Sequence, residues 1–481
     1  MIFLAPAGLL AADDIERDVS PAASTPWRAP DLGAYTKALR SEEAAPIDSQ
    51  KRYELPELVD LAERLNPQTR VAWEHARQAA IAVGLVQSEY APILSLNALG
   101  GFHSEAFPAP KDVAPNGFFR ADLEQARPTL NLEWLLLDFG RRGSRLDAAK
   151  QRLLAANLGF NRKHQEIVYR VRRAYVAMTS LTAKIAVAQS AVDSARAVRE
   201  AAESRLQNGL ATRPEVALAR QQEAQAAFDL EDVLARERDA QVRLADSIGL
   251  PPTTTVQLSD ISALPAPAAL EESVEKVIDR AFDQRPDLIA RVAALRAKEA
   301  DVRRARAAYY PTLALVADVG ILTGRARVTG GHQPTGWFSA SEPGYGVGIA
   351  VHWNLFDGGA TRRRVELAEA ERRAAESEVT EARDHAVSEV WTAYTDVKLA
   401  VRRLDTAAAL VEASQQSYEA TLGSYRQGLE TLTNLLVARR ELSHARFVEL
   451  DTRLQLFDAS AALAFSTGEA PPRAAGAAAA R

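Results

Sequence analysis

Residues recur along this chain at one fixed separation of 219 positions. Tyr90 and Pro92 return as Tyr309 and Pro311, Trp134 and Asp138 as Trp353 and Asp357, Gly209-Leu210 as Gly428-Leu429, and Gly249 as Gly468. Unrelated segments of ordinary composition match at roughly one position in fifteen and show no preference for Gly, Pro, Trp and Tyr at junctions. An internal duplication accounts for the pattern, so the fold must be built twice from the same parts. Two copies of about two hundred residues are too few and too long for a solenoid.

Each half begins with a helical segment, Leu58 to Tyr90 and Val277 to Tyr309, which stops where the following proline, Pro92 or Pro311, imposes extended geometry on its predecessor. A strand follows: Leu313, Leu315, Ala317 and Val319 alternate with Thr312, Ala314 and Asp318, and Ile93 to Gly101 is a weaker counterpart. Pro108, Pro110, Pro115 and Gly117 in one half, and Gly330, Gly331, Pro334 and Gly344 in the other, mark loops of roughly twenty residues. The returning strands set Leu130, Leu132, Trp134 and Leu136, or Val347, Ile349, Val351, Trp353 and Leu355, against small or polar residues. Such alternation suits a membrane barrel with an interfacial Trp at the strand end, and equally a soluble two-faced hairpin.

After the turns at Asp138 and Asp357 no proline occurs before Pro214 or Pro471. Continuous helices from Arg141 to Gln207 and from Thr361 to Gln427 would each span roughly 100 Å. Val390, Tyr394, Val397, Val401, Leu404, Ala408 and Val411 step by four and three, and Val171, Tyr175, Met178, Thr182, Ile185 and Val192 echo them. This is a heptad seam, which packs long helices side by side. Gly209 and Gly428 suit left-handed caps, and return helices run from Pro214 and Thr431 to Gly249 and Gly468.

Hydrophobic residues make up 47% of the 481 and charged residues 25%, enough for a sizeable core. The net charge of −5 and the absence of a basic patch argue against nucleic acid. With no cysteine, disulfides, thiolate metal sites and a lipid-modified N-terminal Cys are excluded. No nucleophile stands beside a base, and the seven histidines show no ligand spacing, so neither enzyme nor cofactor is expected. No run of some 18 apolar residues is present, which excludes only helical spans. The expected organisation is a signal-peptide remnant at 1–12, an N-terminal extension at 13–52, a first repeat at 53–255, a linker at 256–269, a second repeat at 270–468 and a disordered tail at 469–481.

Four strands cannot stand alone in lipid, because an open edge leaves backbone groups unsatisfied. Two chains would give a barrel of eight strands filled by side chains; three would give twelve and leave a passage. The order of elements, the two Tyr-x-Pro junctions, the Trp-x-Leu-x-Asp-x-Gly strand ends and the run Tyr425-Arg-Gln-Gly428-Leu-Glu-Thr-Leu-Thr-Asn434 resemble the TolC family of outer-membrane factors over residues 53–468.

The resemblance implies a mainly α, internally duplicated fold with a small transmembrane β component. It implies a homotrimer whose twelve-stranded β-barrel lies in outer-membrane lipid of a Gram-negative bacterium and continues into a periplasmic α-barrel. The implied function is the passive channel of a tripartite efflux system, with a periplasmic adaptor (membrane-fusion) protein and an inner-membrane pump as partners. The helical-tip turns, Gly209, Leu210, Thr212, Gly428, Leu429 and Thr431, would meet the adaptor. Tyr425 and Glu215 match positions that pair at a periplasmic gate, with Glu430 and Asn434 beside them. Glu430 stands where the best-known members carry Arg, Pro214 where they have a hydroxyl, and Asn434 with Val437 where they have aspartates. The alternatives are the outer-membrane component of type I protein secretion and a non-channel coiled-coil scaffold. Trp134, Asp138, Trp353 and Asp357 remain as strand-end residues near the membrane interface.

Overall fold

The computed structural model describes residues 47–48, 51–259 and 272–469. The signal-peptide remnant, nearly all of the N-terminal extension, most of the linker and the tail after Glu469 lie outside the described residues. Eight helices follow the duplication to the residue. Helices α1 (Leu55–Leu65), α2 (Pro67–Ser88), α3 (Arg141–Gln207) and α4 (Arg213–Ile248) recur 219 residues on as α5 (Val274–Gln284), α6 (Pro286–Ala307), α7 (Ala360–Arg426) and α8 (Leu432–Thr467). The 67 residues of α3 and of α7 rise through roughly 100 Å at about 1.5 Å each.

The single helix expected from Leu58 to Tyr90 is two, broken at Asn66, and its counterpart breaks at Arg285. The proline that follows each break forces it into extended geometry, with ψ of 121° and 112°. Asn66 then turns the corner: its Oδ1 accepts from the N–H of Gln68 at 2.9 Å, and its Nδ2 donates to the Ser247 carbonyl at 3.0 Å. In the second repeat the Nη1 of Arg285 donates to the equivalent Ser466 carbonyl at 3.2 Å, while Asp287 and Glu389 each pair with the buried guanidinium at 2.7 Å.

The return helix of each repeat ends against this corner. Gly249 and Gly468 take φ of 90° and 77° there, and a Cβ on either would lie 2.9 Å from the Asn66 Cα or 2.8 Å from the Gln284 carbonyl carbon. Only glycine satisfies both the left-handed backbone and the close approach.

The heptad seam lies in the core of each repeat from Val171 to Met178 and from Val390 to Leu404, whereas Thr182 and Ala408, also expected in it, are exposed. Val390, Tyr394 and Val397 of α7 are buried with Val274, Val277 and Ala281 of α5 and with Leu456 and Leu463 of α8, while Val401 and Leu404 pack alongside. Ile167, Val171 and Tyr175 are buried at the corresponding level of α3. The tyrosine hydroxyls donate to backbone carbonyls, Tyr175 to Ser259 at 3.0 Å and Tyr394 to Glu272 at 2.8 Å. Part of the expected linker is ordered: β4 (Gln257–Leu258) pairs in parallel with β1 (Arg52–Tyr53).

The remaining strands form one antiparallel sheet in the order β2-β3-β5-β6. They are β2 (Ile93–Pro108), β3 (Phe118–Leu137), β5 (Thr312–Thr329) and β6 (Phe338–His352). They are much longer than expected, and only residues 109–117 and 330–337 connect the hairpins. Glycine and proline misled here for a positional reason. Pro108 is the last residue of β2, and Gly344 lies within β6 opposite Gly320, so neither opens a loop. Pro128 sits in β3 where the ladder to β5 passes over it.

Both hairpins have the same register once shifted by 219: Ile93 faces Glu133 as Thr312 faces His352. Strands β3 and β5 join the repeats, with Trp134 opposite Leu315 and Leu130 opposite Val319.

Substituting Gly249 by Ala is expected to lower the thermal unfolding midpoint in circular dichroism, because a left-handed Ala costs about 1–2 kcal/mol before the overlap with Asn66 is counted. An unchanged midpoint would show that the corner yields.

Candidate functional site

Two regions gather the residues singled out by sequence, the strand ends and the helical tips. Directly opposed residues of an antiparallel pair share a face, and faces alternate along each strand. Leu94, Leu96, Leu130, Trp134, Val319, Ile321, Val347, Ile349 and Val351 therefore lie on one face, and all are exposed. The other face carries Ser95, Asn97, Thr129, Asn131, Glu133, Asp318 and His352 together with apolar residues, Ile93, Leu99, Leu123, Val316 and Leu322 among them.

Both rims of the apolar face are built. At the helical end the Trp134 indole donates to the Tyr90 carbonyl at 2.9 Å, and the Trp353 indole to the Tyr309 carbonyl at 3.0 Å. Phe139 stacks on Tyr310 at 5.1 Å between ring centroids. At the far end Glu124 meets Arg325 at 2.6 Å and Asp122 meets Arg327 at 2.8 Å, directly across the β3–β5 joint. Both guanidinium groups lie 4.9 Å from the Trp337 ring centroid.

Glu124 is on the same face as Trp134, ten residues along β3. At about 3.3 Å per residue and a barrel tilt of about 40°, the apolar interval is roughly 25 Å tall, the height of a transmembrane barrel's apolar band. The far rim was missed in the sequence, although charges two apart in facing strands, Asp122 and Glu124 against Arg325 and Arg327, are a readable signal.

Asp138 and Asp357 tie the strands to the long helices. The Oδ2 of Asp138 accepts from the backbone N–H of Arg142 at 2.7 Å and from its Nε at 3.0 Å. The same guanidinium donates to the carbonyls of Glu89, Leu135 and Leu136 and lies 4.7 Å from the Tyr90 ring centroid. In the second repeat Thr361 replaces Arg142. Its Oγ1 donates to Asp357 Oδ2 at 2.6 Å and its N–H at 2.8 Å. These bonds hold the Asp357 carboxyl below the ordinary carboxylate value.

At the other end of the long helices, Ala202, Val216, Ala219, Leu432 and Leu436 form a buried cluster against which Leu206 and Tyr425 pack. Both hairpin tips are thus held together. Tyr425 and Glu215, expected to pair, are each engaged elsewhere within the chain. Arg205 Nη1 donates to the Tyr425 hydroxyl at 3.1 Å, with the guanidinium 5.4 Å from the ring centroid. Glu215 accepts from the Thr212 N–H at 3.1 Å in a capping box that starts α4.

Glu430 and Asn434 are brought together, Nδ2 to Oε2 at 2.7 Å. Thr431 caps α8 by accepting from the Asn434 N–H. Gly209 and Gly428 turn at φ of 74° and 76°, which leaves Leu210 and Leu429 projecting at 68% and 76% exposure. Arg205 has no counterpart in the duplication, since Ser424 holds the equivalent place, so no repeat signal marked it.

An apolar-banded sheet that leads directly into paired 67-residue helices defines an outer-membrane channel subunit, a conduit and not an enzyme. The chain belongs to the outer membrane efflux protein family: the family's profile matches residues 58–250 and 277–469, themselves 219 apart. It is similar to Protein CyaE of Bordetella pertussis, 26% identical over 89% of this chain and 88% of the relative. It is also similar to the pyoverdine export outer membrane protein OpmQ of Pseudomonas putida, 28% identical over 68% and 67%.

Among solved structures, the outer-membrane channel OprN superposes with a TM-score of 0.73 at 23% identity, covering 88% of this chain and 94% of that one. The open-state MtrE channel of Neisseria gonorrhoeae gives 0.69 at 20% identity, covering 86% and 88%. These likenesses establish the fold.

Replacing Asp138 by Ala leaves the Arg142 guanidinium buried without its anion, a change that costs about 3–5 kcal/mol; a large drop in thermal midpoint is expected, and Asn at the same position should recover part of it. Because the folded pKa of Asp357 is depressed, its contribution is fully present above the unfolded value near 3.9 and is lost as pH falls through the lower folded value. Asp357→Asn should therefore flatten the acid limb of a stability-versus-pH profile, and an unaltered limb would refute that role.

Proposed function

We propose that three copies of this chain close a twelve-stranded barrel in the outer membrane and extend their paired helices through the periplasm as a tunnel for an efflux pump. The observation that carries this reading is the pair of free sheet edges on an apolar band of membrane height. An edge left open in lipid costs several kcal/mol for each unsatisfied backbone group, so the band is usable only in a closed ring. Proteins of the outer membrane efflux family work with an adaptor and an inner-membrane pump. The exposed Leu210 and Leu429, one at each hairpin tip and 219 residues apart, offer such an adaptor two equivalent apolar contacts per chain.

The tip is also the place for a gate. Arg205 holds Tyr425 across the two hairpins, while Glu215 and Glu430 bond within their own tips, so the Arg205–Tyr425 contact supports the reading of a gate. Small molecules are the proposed cargo, a reading supported by the export function in the name of the OpmQ relative.

Tyr425→Phe combined with Glu215→Ala should raise single-channel conductance in planar bilayers, as should Arg205→Ala alone. Conductance equal to that of the unaltered protein in both cases would remove the gate from these residues while leaving the channel intact.

A further inference from the structure

The far rim of the apolar face holds more guanidinium than the sheet uses. Arg120, Asp122 and Glu124 of β3 and Arg325 and Arg327 of β5 stand together on that face, three cations against two carboxylates. Arg120 is exposed and forms no ion pair among the described residues.

The other two arginines are each engaged through a single nitrogen. Arg325 gives its Nε to Glu124 at 2.6 Å, and Arg327 gives its Nε to Asp122 at 2.8 Å. Ser104 takes the second oxygen of Asp122, its hydroxyl donating at 2.5 Å. The η nitrogens of both arginines have no acceptor among the described residues, and both side chains are about half exposed. A carboxylate at one edge and the Trp337 ring beside both guanidiniums hold the forks in place, so little ordering is left for a ligand to impose. A cross-strand brace needs only the charge, which lysine would supply. Two fixed forks with free η nitrogens match the oxygens of a phosphate.

Position selects the kind of phosphate. The forks stand at the top of the apolar band, at the level of headgroups in the leaflet away from the helices. Beside them is a shallow depression lined by Phe102, Glu124, Ala126, Thr323, Arg325 and Ser339, all with side chains on the apolar-banded face. Gly100 opposes Ala126 across β2 and β3 and keeps the floor low. Toward Trp134 the depression opens onto Ile321 and Val319, which are 48% and 50% exposed. Anion donors above and uncovered apolar surface directly below suit an amphiphile, whereas a free anion would use only the upper part.

We infer that this rim binds the phosphate headgroup of an acylated lipid of the outer leaflet, with Arg325 and Arg327 holding the phosphate, Arg120 adding charge, and an acyl chain lying over Ala126, Ile321 and Val319. This rests on the membrane-inserted ring proposed above and adds the class of lipid that it binds.

Native mass spectrometry of the detergent-extracted protein tests it, with lipid A, enzymatically dephosphorylated lipid A and inorganic phosphate as separate probes. The unaltered protein should bind lipid A about tenfold or more tightly than the dephosphorylated form, the factor expected for hydrogen bonds to a charged group. Arg325→Lys with Arg327→Lys keeps both charge pairs but loses the forks, and should weaken lipid A binding by about the same factor. Arg325→Gln with Glu124→Gln removes one pair whole, so no carboxylate is stranded, and should also weaken it. Arg127→Gln, on the opposite face, should leave it unchanged.

Equal affinity for the two lipids, a comparison that needs no variant, would overturn the site and reduce the ladder to a cross-strand brace. So would lysine and glutamine variants that bind lipid A as the unaltered protein does; in both cases, conductance in planar bilayers would leave the ring standing. Inorganic phosphate bound as tightly as lipid A would overturn the lipid assignment. A monomer extracted without detergent that binds neither lipid would sink the site and the ring together.

Discussion

A sheet edge inside a bilayer has nowhere to send its hydrogen bonds, and this constraint governs the rest of the molecule. The antiparallel sheet has four strands and two free edges. Its apolar face runs from indole groups bonded to Tyr90 and Tyr309 up to a ladder of carboxylates and guanidiniums under Trp337. In the closed ring proposed above, no water reaches an unpaired backbone group between those rims, so further copies must meet both edges. Among the described residues no helix is long and apolar enough to cross a membrane.

The duplication supplies geometry twice but chemistry only once in full. The corner between the short helices is turned by Asn66 in one repeat and by Arg285 in the other, and both reach the same carbonyl of the return helix. The strand-to-helix turn is held by Asp138 and Arg142, then by Asp357 and Thr361. In each case the backbone request is the same, an N–H or carbonyl left unsatisfied at a helix end, and different side chains answer it. The tips diverge further: Arg205 and Tyr425 bind each other across the two hairpins, and neither has a like residue in the other repeat. Backbone geometry survived where packing enforced it, as at Gly249 and Gly468, while polar partners drifted where several could serve.

This division explains what the sequence disclosed. The offset of 219 and the heptad step from Val390 to Leu404 placed the long helices and their core, since burial demands apolar residues at set spacings. The strands were legible in their faces but not in their length, because Pro108 ends β2 and Gly344 continues β6 opposite Gly320 where loops were expected. The breaks at Asn66 and Arg285 were signalled locally by Pro67 and Pro286, whereas the distant carbonyl that each corner reaches was not. At the tip, Tyr425 and Glu215 were found by resemblance, whereas Arg205 was invisible because its partner is 220 residues away.

The central claim is that this chain is useful only as a closed, membrane-inserted ring. Planar-bilayer recording of the purified, detergent-extracted protein tests it most directly. Discrete conductance steps from protein recovered in the outer-membrane fraction are the expected result; a protein extracted without detergent as a monomer, and silent in the bilayer, would contradict it.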